Sequence, residues 1–521
     1  MSELKEYAVT TQGLEDTDSV WDDLTTEGSP VETIPNRVVE VANERAINTR
    51  NTTYLLTEEE AQKLKEDPRV QDVANLEEFV PIKFAFQDGT FDKTSTVAGE
   101  KQNWGLLRHI SATNVFGTST ADPGGTYDYV LDGTGVDIVI IDTGIQADHP
   151  EFQDSSGASR VQQINWFTAS GVGGTMPTGH YTDYDGHGTH VAATAAGKTF
   201  GWAKNAHIYS IKLQGLEGPS DPNSGISYSN AFDCILGWHL AKTNGRPTIL
   251  NNSWGFIVYW ETAGTDFLTF DGVTTYPVTG GVYRGTAWSA ALKDTSKGLI
   301  GQQISATTEY VFPYKITSAD VDIEQLIDAG IIVCTSAGNN GMKHDVLGGT
   351  DYNNYVTATG LSNYYYHRGS SPHSGSNPGL EVGATGLNFV SSTEAKSTYS
   401  DTGPGVDIYA AGDRIISAMS STNAYGSNSS YYIDSNYKQH LLSGTSMASP
   451  QVAGICALLK QVHPDWTPQQ VKSWVINNAK NVLYSTGEDN DYANSASILG
   501  GVQKLAYMPM SGQLVYRILE V

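Results

Sequence analysis

The stretch Ser443-Gly444-Thr445-Ser446-Met447-Ala448-Ser449-Pro450 runs on into Gln451-Val452-Ala453-Gly454-Ile455-Cys456-Ala457-Leu458-Leu459. It sets one serine between a glycine-led turn and the first turn of an apolar helix. A serine hydroxyl is a weak nucleophile until a neighbouring base takes its proton. At a helix start, unpaired N–H groups and the positive end of the dipole favour negative charge developing beside that serine. Gly444 allows a turn that a side chain would obstruct. Pro450 is expected in the first helical turn, where its missing N–H goes unused. A lone Gly-Thr-Ser of this kind is usually a cap before a core helix. What decides is whether the chain also holds a base, an orienting acid and an oxyanion site.

Three further stretches supply candidates. Val136-Asp137-Ile138-Val139-Ile140-Ile141 is, Asp137 apart, apolar and β-branched, the pattern of a buried parallel strand. It ends in Asp142-Thr143-Gly144, so a carboxylate stands at the carboxyl end of a strand, where open α/β sheets place their sites. Asp185-Gly186-His187-Gly188-Thr189-His190-Val191-Ala192 sets a histidine between two glycines, ahead of a small-residue helix reaching about Gly197. His187 and His190 have a metal-ligand spacing, but no third ligand accompanies them at a recognisable interval. His187 therefore reads as a base and His190 as a packed helix residue, and no catalytic metal is expected. Ile331-Ile332-Val333-Cys334-Thr335-Ser336-Ala337-Gly338-Asn339-Asn340-Gly341 is another buried strand, ending in a glycine-flanked amide.

In the order Asp142, His187, Ser446 these residues resemble the subtilisin-like serine peptidases, the subtilases. The likeness is closest to the proteinase K branch. Tyr127-Asp128-Tyr129 before the strand, His149-Pro150-Glu151-Phe152 after it, and Ala337-Gly338-Asn339-Asn340 carry it. It spans roughly Trp104 to Tyr507, broken by insertions. The resemblance implies Ser446 as nucleophile, His187 as base and Asp142 as the acid that orients it. It also implies an oxyanion hole from the Asn339 side chain and the Ser446 backbone N–H. The walls of the P1 pocket would be Ser253-Trp254-Gly255 and Ser336-Ala337-Gly338. Substrate would lie extended between these backbones and the loop at Ser224-Gly225, as an added strand. Trp254 departs from the aliphatic residue usual there, and Phe256 adds bulk. The expected reaction is hydrolysis of internal peptide bonds through an acyl-enzyme, with no cofactor for catalysis. Structural calcium (Ca2+) is implied by the resemblance, without an assignable ligand set. Asp183, Asp221 and Asn223 offer oxygens, yet no segment has a calcium-loop pattern. A rival reading is a structural or adhesion protein of virion type that keeps the fold without turnover. An esterase would call for Gly-x-Ser-x-Gly at the nucleophile, which is absent.

The expected fold class is α/β: a subtilisin-like, doubly wound, mainly parallel sheet with helices on both faces. A small α/β, ferredoxin-like domain stands in front. Residues 1–35, acidic and without periodicity, are expected to form a flexible tail. Val38-Val39-Glu40-Val41-Ala42 reads as a strand, and Thr57-Glu58-Glu59-Glu60 as a capping box opening a helix. Asp67-Pro68 stops that helix, and Val70-Gln71-Asp72-Val73 begins another strand. From Leu56 to Val73 this unit resembles the propeptide inhibitor domain of subtilases, whose first helix is not evident between Glu44 and Thr53. The division expected is an inhibitor-like domain at 36–84 and a linker at 85–102, with self-processing between about Phe84 and Asn103. A catalytic domain at 103–507 and an edge strand at 508–521 follow. Insertions fall near 258–317, 345–379 and 422–440. The first, with Trp260, Phe267, Tyr276, Tyr283 and Trp288, reads as a β-rich flap beside the P1 wall.

A net charge of −26 over 521 residues argues against nucleic acid or anionic membranes as partners. The partners expected are protein or peptide substrates and the chain's own N-terminal domain as an intramolecular inhibitor. Three cysteines make no disulfide framework, and Cys334 and Cys456 fall in apolar runs as small core residues. No run is long enough to span a membrane. Met1-Ser2-Glu3-Leu4-Lys5-Glu6 lacks the positive start and apolar core of a secretory signal. The location expected is intracellular, virion-associated or released on lysis.

Overall fold

The computed structural model describes residues 4–509, apart from 30, 32, 36, 45–49, 77–80, 84–85, 88–102, 115–128, 130, 217–223, 263–265, 271–273, 290–294, 305–308, 374–377 and 427. Nearly all of the expected edge strand and most of the 85–102 linker lie outside the described residues, as do Tyr127, Asp128, Asp221 and Asn223.

The chain opens with β1 (Lys5–Thr11), α1 (Leu14–Thr25), β2 (Glu40–Glu44), β3 (Asn51–Leu56), α2 (Glu58–Lys65) and β4 (Val70–Asn75). The strands form an antiparallel sheet in the order β2-β3-β1-β4, the split β-α-β topology. Residues 1–35, expected as a tail, instead supply half of this unit. Tyr7 and Val9 alternate on β1, and Val20 and Leu24 lie one turn apart on α1. These few apolar residues among acids are enough to bury one face of each element against Tyr54, Leu56, Leu64 and Val73. Among the described residues no helix lies between Glu44 and Thr53, where β3 begins at Asn51. α2 opens with its capping box, the Thr57 hydroxyl and Glu60 carboxylate exchanging backbone bonds at 3.3 and 2.8 Å.

After β5 (Pro81–Lys83) and β6 (Phe86–Gln87), Asn103 caps α3 (Trp104–His109). A second sheet then builds through β7 (Asp137–Asp142), β8 (Val161–Gln162), α4 (Trp166–Ser170), α5 (His187–Ala196), β9 (His207–Lys212), α6 (Tyr228–Ala241) and β10 (Thr248–Asn252). The chain leaves it for β11 (Trp254–Glu261), β12 (Phe267–Thr269), β13 (Tyr276–Tyr283), β14 (Thr286–Ser289), β15 (Gln302–Gln303) and β16 (Glu309–Tyr314). It returns through α7 (Thr317–Asp328) to β17 (Ile332–Ser336). β18 (Tyr355–Ala358) and β19 (Tyr364–Tyr365) precede β20 (Leu380–Val390), β21 (Thr393–Lys396) and β22 (Ile408–Ala411). β23 (Ile415–Met419), β24 (Ser429–Ser430), β25 (Lys438–Ser443), α8 (Thr445–Val462), α9 (Pro468–Asn478), β26 (Lys480–Asn481) and β27 (Lys504–Leu505) complete the described chain.

The main sheet has the order β26-β27-β22-β20-β17-β10-β7-β9-β8. It is parallel except at β26 and at β21, which pairs antiparallel with β20. The apolar run of β7 explains the two layers. Ile138 and Ile140 face one core with Val191 of α5 and Val452 of α8. Val139 and Ile141 face the other, with Phe232 of α6 and Ile323 of α7. Asp137, the one acid in that run, is buried against Arg246 at 2.6 Å and Lys242 at 3.1 Å. From β7 the chain first builds outward to β8 and β9, then crosses back to β10 and β17. That reversal is the switch point at which such sheets open a crevice.

Two of the insertions form one body. The sheet β15-β16-β11-β12-β13-β18-β19, with β14 on β13, buries Trp260, Leu268, Phe312, Val356, Tyr364 and Tyr366 as its own core. The interval 258–317 is the β-rich subdomain its aromatics suggest, but strands from 345–379 complete it. The third insertion adds β24 and β25 beside β23.

The N-terminal unit docks on the body built around the main sheet. Asn51 of β3, buried, donates to Ser318 O at 3.0 Å and to the Asp322 carboxylate at 2.7 Å, both on α7. Arg50 meets Glu324 at 3.4 Å, and Asn43 meets Asn230 of α6 at 3.1 Å. Beyond the unit, β5 adds antiparallel to β11, with Lys83 opposite Trp254, Ile82 opposite Gly255 and Pro81 opposite Phe256. β6 adds antiparallel to β25, with Phe86 opposite Ser443. Cys334 and Cys456 are buried thiols 4.0 Å apart, and Cys234 is a third. Among the described residues no helix is long and apolar enough to cross a membrane.

Candidate active site

Asp142 ends β7, and its carboxylate accepts the His187 Nδ1–H at 2.7 Å with both residues fully buried. The bond fixes the imidazole tautomer and leaves the Nε2 lone pair free to act as a base. His187 is the first residue of α5, delivered by Gly186 at φ +96°. A side chain at Gly186 would meet Met419 Sδ at 2.2 Å. Gly188 is equally constrained: a Cβ there would lie 2.2 Å from Gly144 O and 3.1 Å from Asp142 Cβ. The glycines on either side of the histidine thus let the helix start lie directly on the loop that carries the acid.

Asp183, which in the sequence offered only an oxygen for a cation, organises this junction. Its Oδ1 accepts the Thr143 hydroxyl at 2.9 Å and the Gly186 N–H at 2.8 Å. Its Oδ2 accepts the Thr189 N–H and hydroxyl at 2.9 and 2.5 Å. Both oxygens are occupied by donors from the acid's loop and the base's helix. Burial pushes the Asp183 carboxyl up to about 6. His190 is, as its spacing suggested, a packed residue. Its Nε2 reaches Ile415 O at 2.9 Å and His440 O at 3.2 Å, and burial holds the ring neutral, down to about 3.

Ser446 is the second residue of α8, after Gly444 at φ 160°. Its Oγ donates to Ser253 O at 3.0 Å, and His187 Nε2 has no partner. Pro450 stands beyond the first turn, contrary to the sequence reading. Its missing N–H is the one that would have bonded Ser446 O, and that carbonyl instead accepts the Ser253 hydroxyl at 3.0 Å. Asn251 continues the network, donating to Ser253 Oγ at 2.9 Å and accepting Ser449 Oγ at 2.7 Å.

Asn339 follows β17. Its Oδ1 accepts both the N–H and the hydroxyl of Thr445 at 3.0 Å, which turns the amide Nδ2–H2 the other way. That amide has no hydrogen-bond partner among the described residues. Beside it Ser446 N–H, in the first turn of α8, is without a helical acceptor. The arrangement is a pair of donors beside a hydroxyl, able to stabilise an oxygen that gains charge.

The expected pocket walls leave neighbouring strands. Asn252 of β10 pairs with Thr335 of β17, so Ser253-Trp254-Gly255 and Ser336-Ala337-Gly338 diverge from adjacent strand ends. The Trp254 side chain turns away from that opening. It is buried, stacked on Phe232 at 6.1 Å and edge-on to Phe256 at 5.6 Å. Trp254 and Phe256 thus thicken the core beneath β11, and β11 offers its backbone on the other side. Ser224 is buried with its hydroxyl unpartnered. Among the described residues no hydrogen bond links Ser224 or Gly225 to β11 or Ser446.

Residues 133–498 match the subtilase family. A subtilisin-like serine protease of Cochliobolus lunatus is 26% identical over 393 residues, covering 72% of this chain and 54% of that protein. The chain therefore spans about half of that relative's length. A subtilase-type proteinase of Schizosaccharomyces pombe is 38% identical over 131 residues, 24% of this chain and 25% of its own. Among solved structures, fervidolysin from Fervidobacterium pennivorans aligns over 96% of this chain and 60% of its own. Its TM-score is 0.51 at 16% identity, a likeness of fold. With the match over residues 133–498, its mainly parallel sheet and the Asp142–His187 pair, the chain belongs to the subtilase family.

Proposed function

We propose that the chain is a serine endopeptidase whose first substrate is its own N-terminal segment. The observation that carries this is the Asp142–His187 bond with a free Nε2, together with the Asn339 amide that is turned away from Thr445, the residue before Ser446. Ser446 Oγ, released from Ser253 O, attacks the scissile carbonyl as His187 Nε2 takes its proton. Catalytic bonds of this kind often tighten only with substrate in place. Asn339 Nδ2 and the Ser446 N–H hold the oxyanion, the leaving amine takes the proton from His187, and water then releases the acyl group. No metal or cofactor enters these steps. The run His149-Pro150-Glu151-Phe152 supports assignment to the proteinase K branch, with Glu151 accepting the Thr199 N–H at 2.8 Å.

Two strand pairings support self-processing. β5 lies along β11 and ends at Lys83 opposite Trp254, the residue after Ser253, whose carbonyl holds the nucleophile. β6 lies along β25 and begins at Phe86 opposite Ser443, three residues before Ser446. The two pairings support a cleavage site between Lys83 and Phe86; the residues between them lie outside the described ones. The docked N-terminal unit is read as the intramolecular inhibitor that this cleavage releases. Purified protein is expected to begin at a residue from Phe84 to Phe86, and the Ser446→Ala variant to stay intact. Active enzyme with its original terminus, or an Ser446→Ala variant that is still cut in pure form, sinks self-processing. An active-site serine probe tests catalysis itself. Labelling that disappears in Ser446→Ala supports the enzyme, and no labelling after removal of residues 1–102 favours a scaffold without turnover.

A further inference from the structure

The loop Gly338–Met342 presents Asn339, and one residue, Asp401, holds it on both sides of that amide. Asp401 Oδ1 accepts the Asn340 N–H at 2.9 Å and the Met342 N–H at 2.8 Å, and the Asp401 N–H donates to Gly338 O at 2.9 Å. The residues flanking Asn339 on both sides are therefore tied to Asp401. Its second oxygen, Oδ2, is buried with no partner. It presses on Gly338, where any Cβ would fall 2.3 Å from it and 3.2 Å from the Ser370 hydroxyl. Gly338 sits at φ +116°, a conformation that disfavours a side chain there independently of the contact.

We propose that Asp401 is a positioning residue for the oxyanion donor and that it performs this role as a neutral carboxylic acid. An uncharged carboxyl still accepts two N–H bonds through Oδ1, and Oδ2 then carries the proton. Ionised, it would set a full negative charge under the loop that must stabilise a second negative charge on the reacting oxygen. Burial pushes Asp401 up to about 8, and Glu381 of β20 adds to the effect. Lys396 of β21, held down at about 8 and bonded to Ser397 O and Ser400 O, pulls the other way. Tyr364 of β19 and Tyr409 of β22 also face the carboxyl, each pushed up by burial. This inference rests on the proposed peptidase activity for its kinetic readout alone.

The test has two arms. In the first, backbone amide shifts of Asn340 and Met342 are followed by NMR from pH 6 to 10 in the Ser446→Ala protein, which needs no activity. Both are expected to titrate together near pH 8 and to stop doing so in Asp401→Asn. In the second, kcat of the active protein is measured over the same range. Wild type is expected to lose about tenfold on the alkaline side and Asp401→Asn to lose none, with near wild-type kcat at pH 7. Asp401→Ala, which removes the acceptor, is expected to lose about 10- to 100-fold in kcat at every pH with KM nearly kept, a fraction of a full oxyanion donor. An alkaline limb unchanged in Asp401→Asn, or one that disappears only in Lys396→Met, overturns the proposal. So do amide shifts that do not move. A silent enzyme with titrating amides would instead overturn the peptidase reading and leave this one standing.

Discussion

Gly188→Ala isolates the contact on which the acid–base pair depends. A methyl group at residue 188 would stand 2.2 Å from Gly144 O and 3.1 Å from Asp142 Cβ. Carbon and carbonyl oxygen need about 3.3 Å, so the start of α5 must retreat from the β7 loop by about 1 Å. The 2.7 Å bond between His187 and Asp142 spans that same gap. A displacement of this size in a catalytic constellation costs about 100-fold. Overpacking costs about 1–3 kcal/mol, offset by about 1 kcal/mol from replacing a helical glycine, so the protein is expected to fold. The assay is the second-order rate of Ser446 labelling by an active-site serine probe, read beside thermal unfolding. Gly281→Ala is the control, because its Cβ would lie 2.2 Å from Tyr355 O inside the inserted sheet. It is expected to lower stability comparably and to leave the labelling rate alone. If Gly188→Ala labels within threefold of wild type while its melting point falls like the control's, the loop yields instead of the helix and the reasoning fails.

Acid should unfold the protein through its buried histidines. Burial lowers His109 and His190 from 6.5 to about 3, so the unfolded chain binds protons below pH 6.5 that the folded one refuses. Their contribution is complete above pH 6.5 and is lost as pH falls toward 3, up to about 5 kcal/mol each. Asp183, raised from 3.8 to about 6, works in reverse, costing up to about 3 kcal/mol as pH rises through that interval. Urea midpoints of the Ser446→Ala protein between pH 4.5 and 7 should therefore climb with pH. His190→Gln should flatten the slope by about one proton, and equal slopes would show that His190 is not the group responsible. Asn51→Ala removes the buried amide that ties β3 to α7. Hydrogen exchange in β3 should quicken about 5- to 30-fold, the equivalent of about 1–2 kcal/mol, with β17 unchanged. Unaltered exchange in β3 would mean that docking rests elsewhere.

How far the fold could be read from sequence depended on how local the signal was. The run Ile138–Ile141 declares a strand buried on both faces, because alternate residues go to two different cores. Thr57 and Glu60 declare a helix start within four residues. The first 35 residues declared nothing, because among the described ones only Tyr7, Val9, Val20 and Leu24 are buried as large apolar side chains before Ile34, diluted among acids most of which stay outside. Asp23, one of those acids, even points inward, held by Arg69 at 2.6 Å. The joining of 258–317 to 345–379 was also silent. Antiparallel pairing of β13 with β18 depends on register between distant segments, and neither strand records its partner.

The site shows the same division between chemistry and support. Asp142, His187, Ser446 and Asn339 stood out in the sequence because each lies near a strand or helix end beside glycine, and reaction chemistry limits the residue types at such points. Asp183 and Asp401 did not, although each accepts bonds from two or more donors around those residues. Their work is acceptance of backbone N–H groups, which leaves no motif, since any loop acid could do it and only the folded chain says which one does. Pro450 makes the point from the other side. A proline in a helix reads as a flaw to be placed at the edge, yet here the bond it withholds frees Ser446 O for Ser253, whose own carbonyl holds the nucleophile. The reacting hydroxyl and the wall of the pocket are thus coupled through a hydrogen bond that the backbone does not make, and such a coupling can be found only in three dimensions.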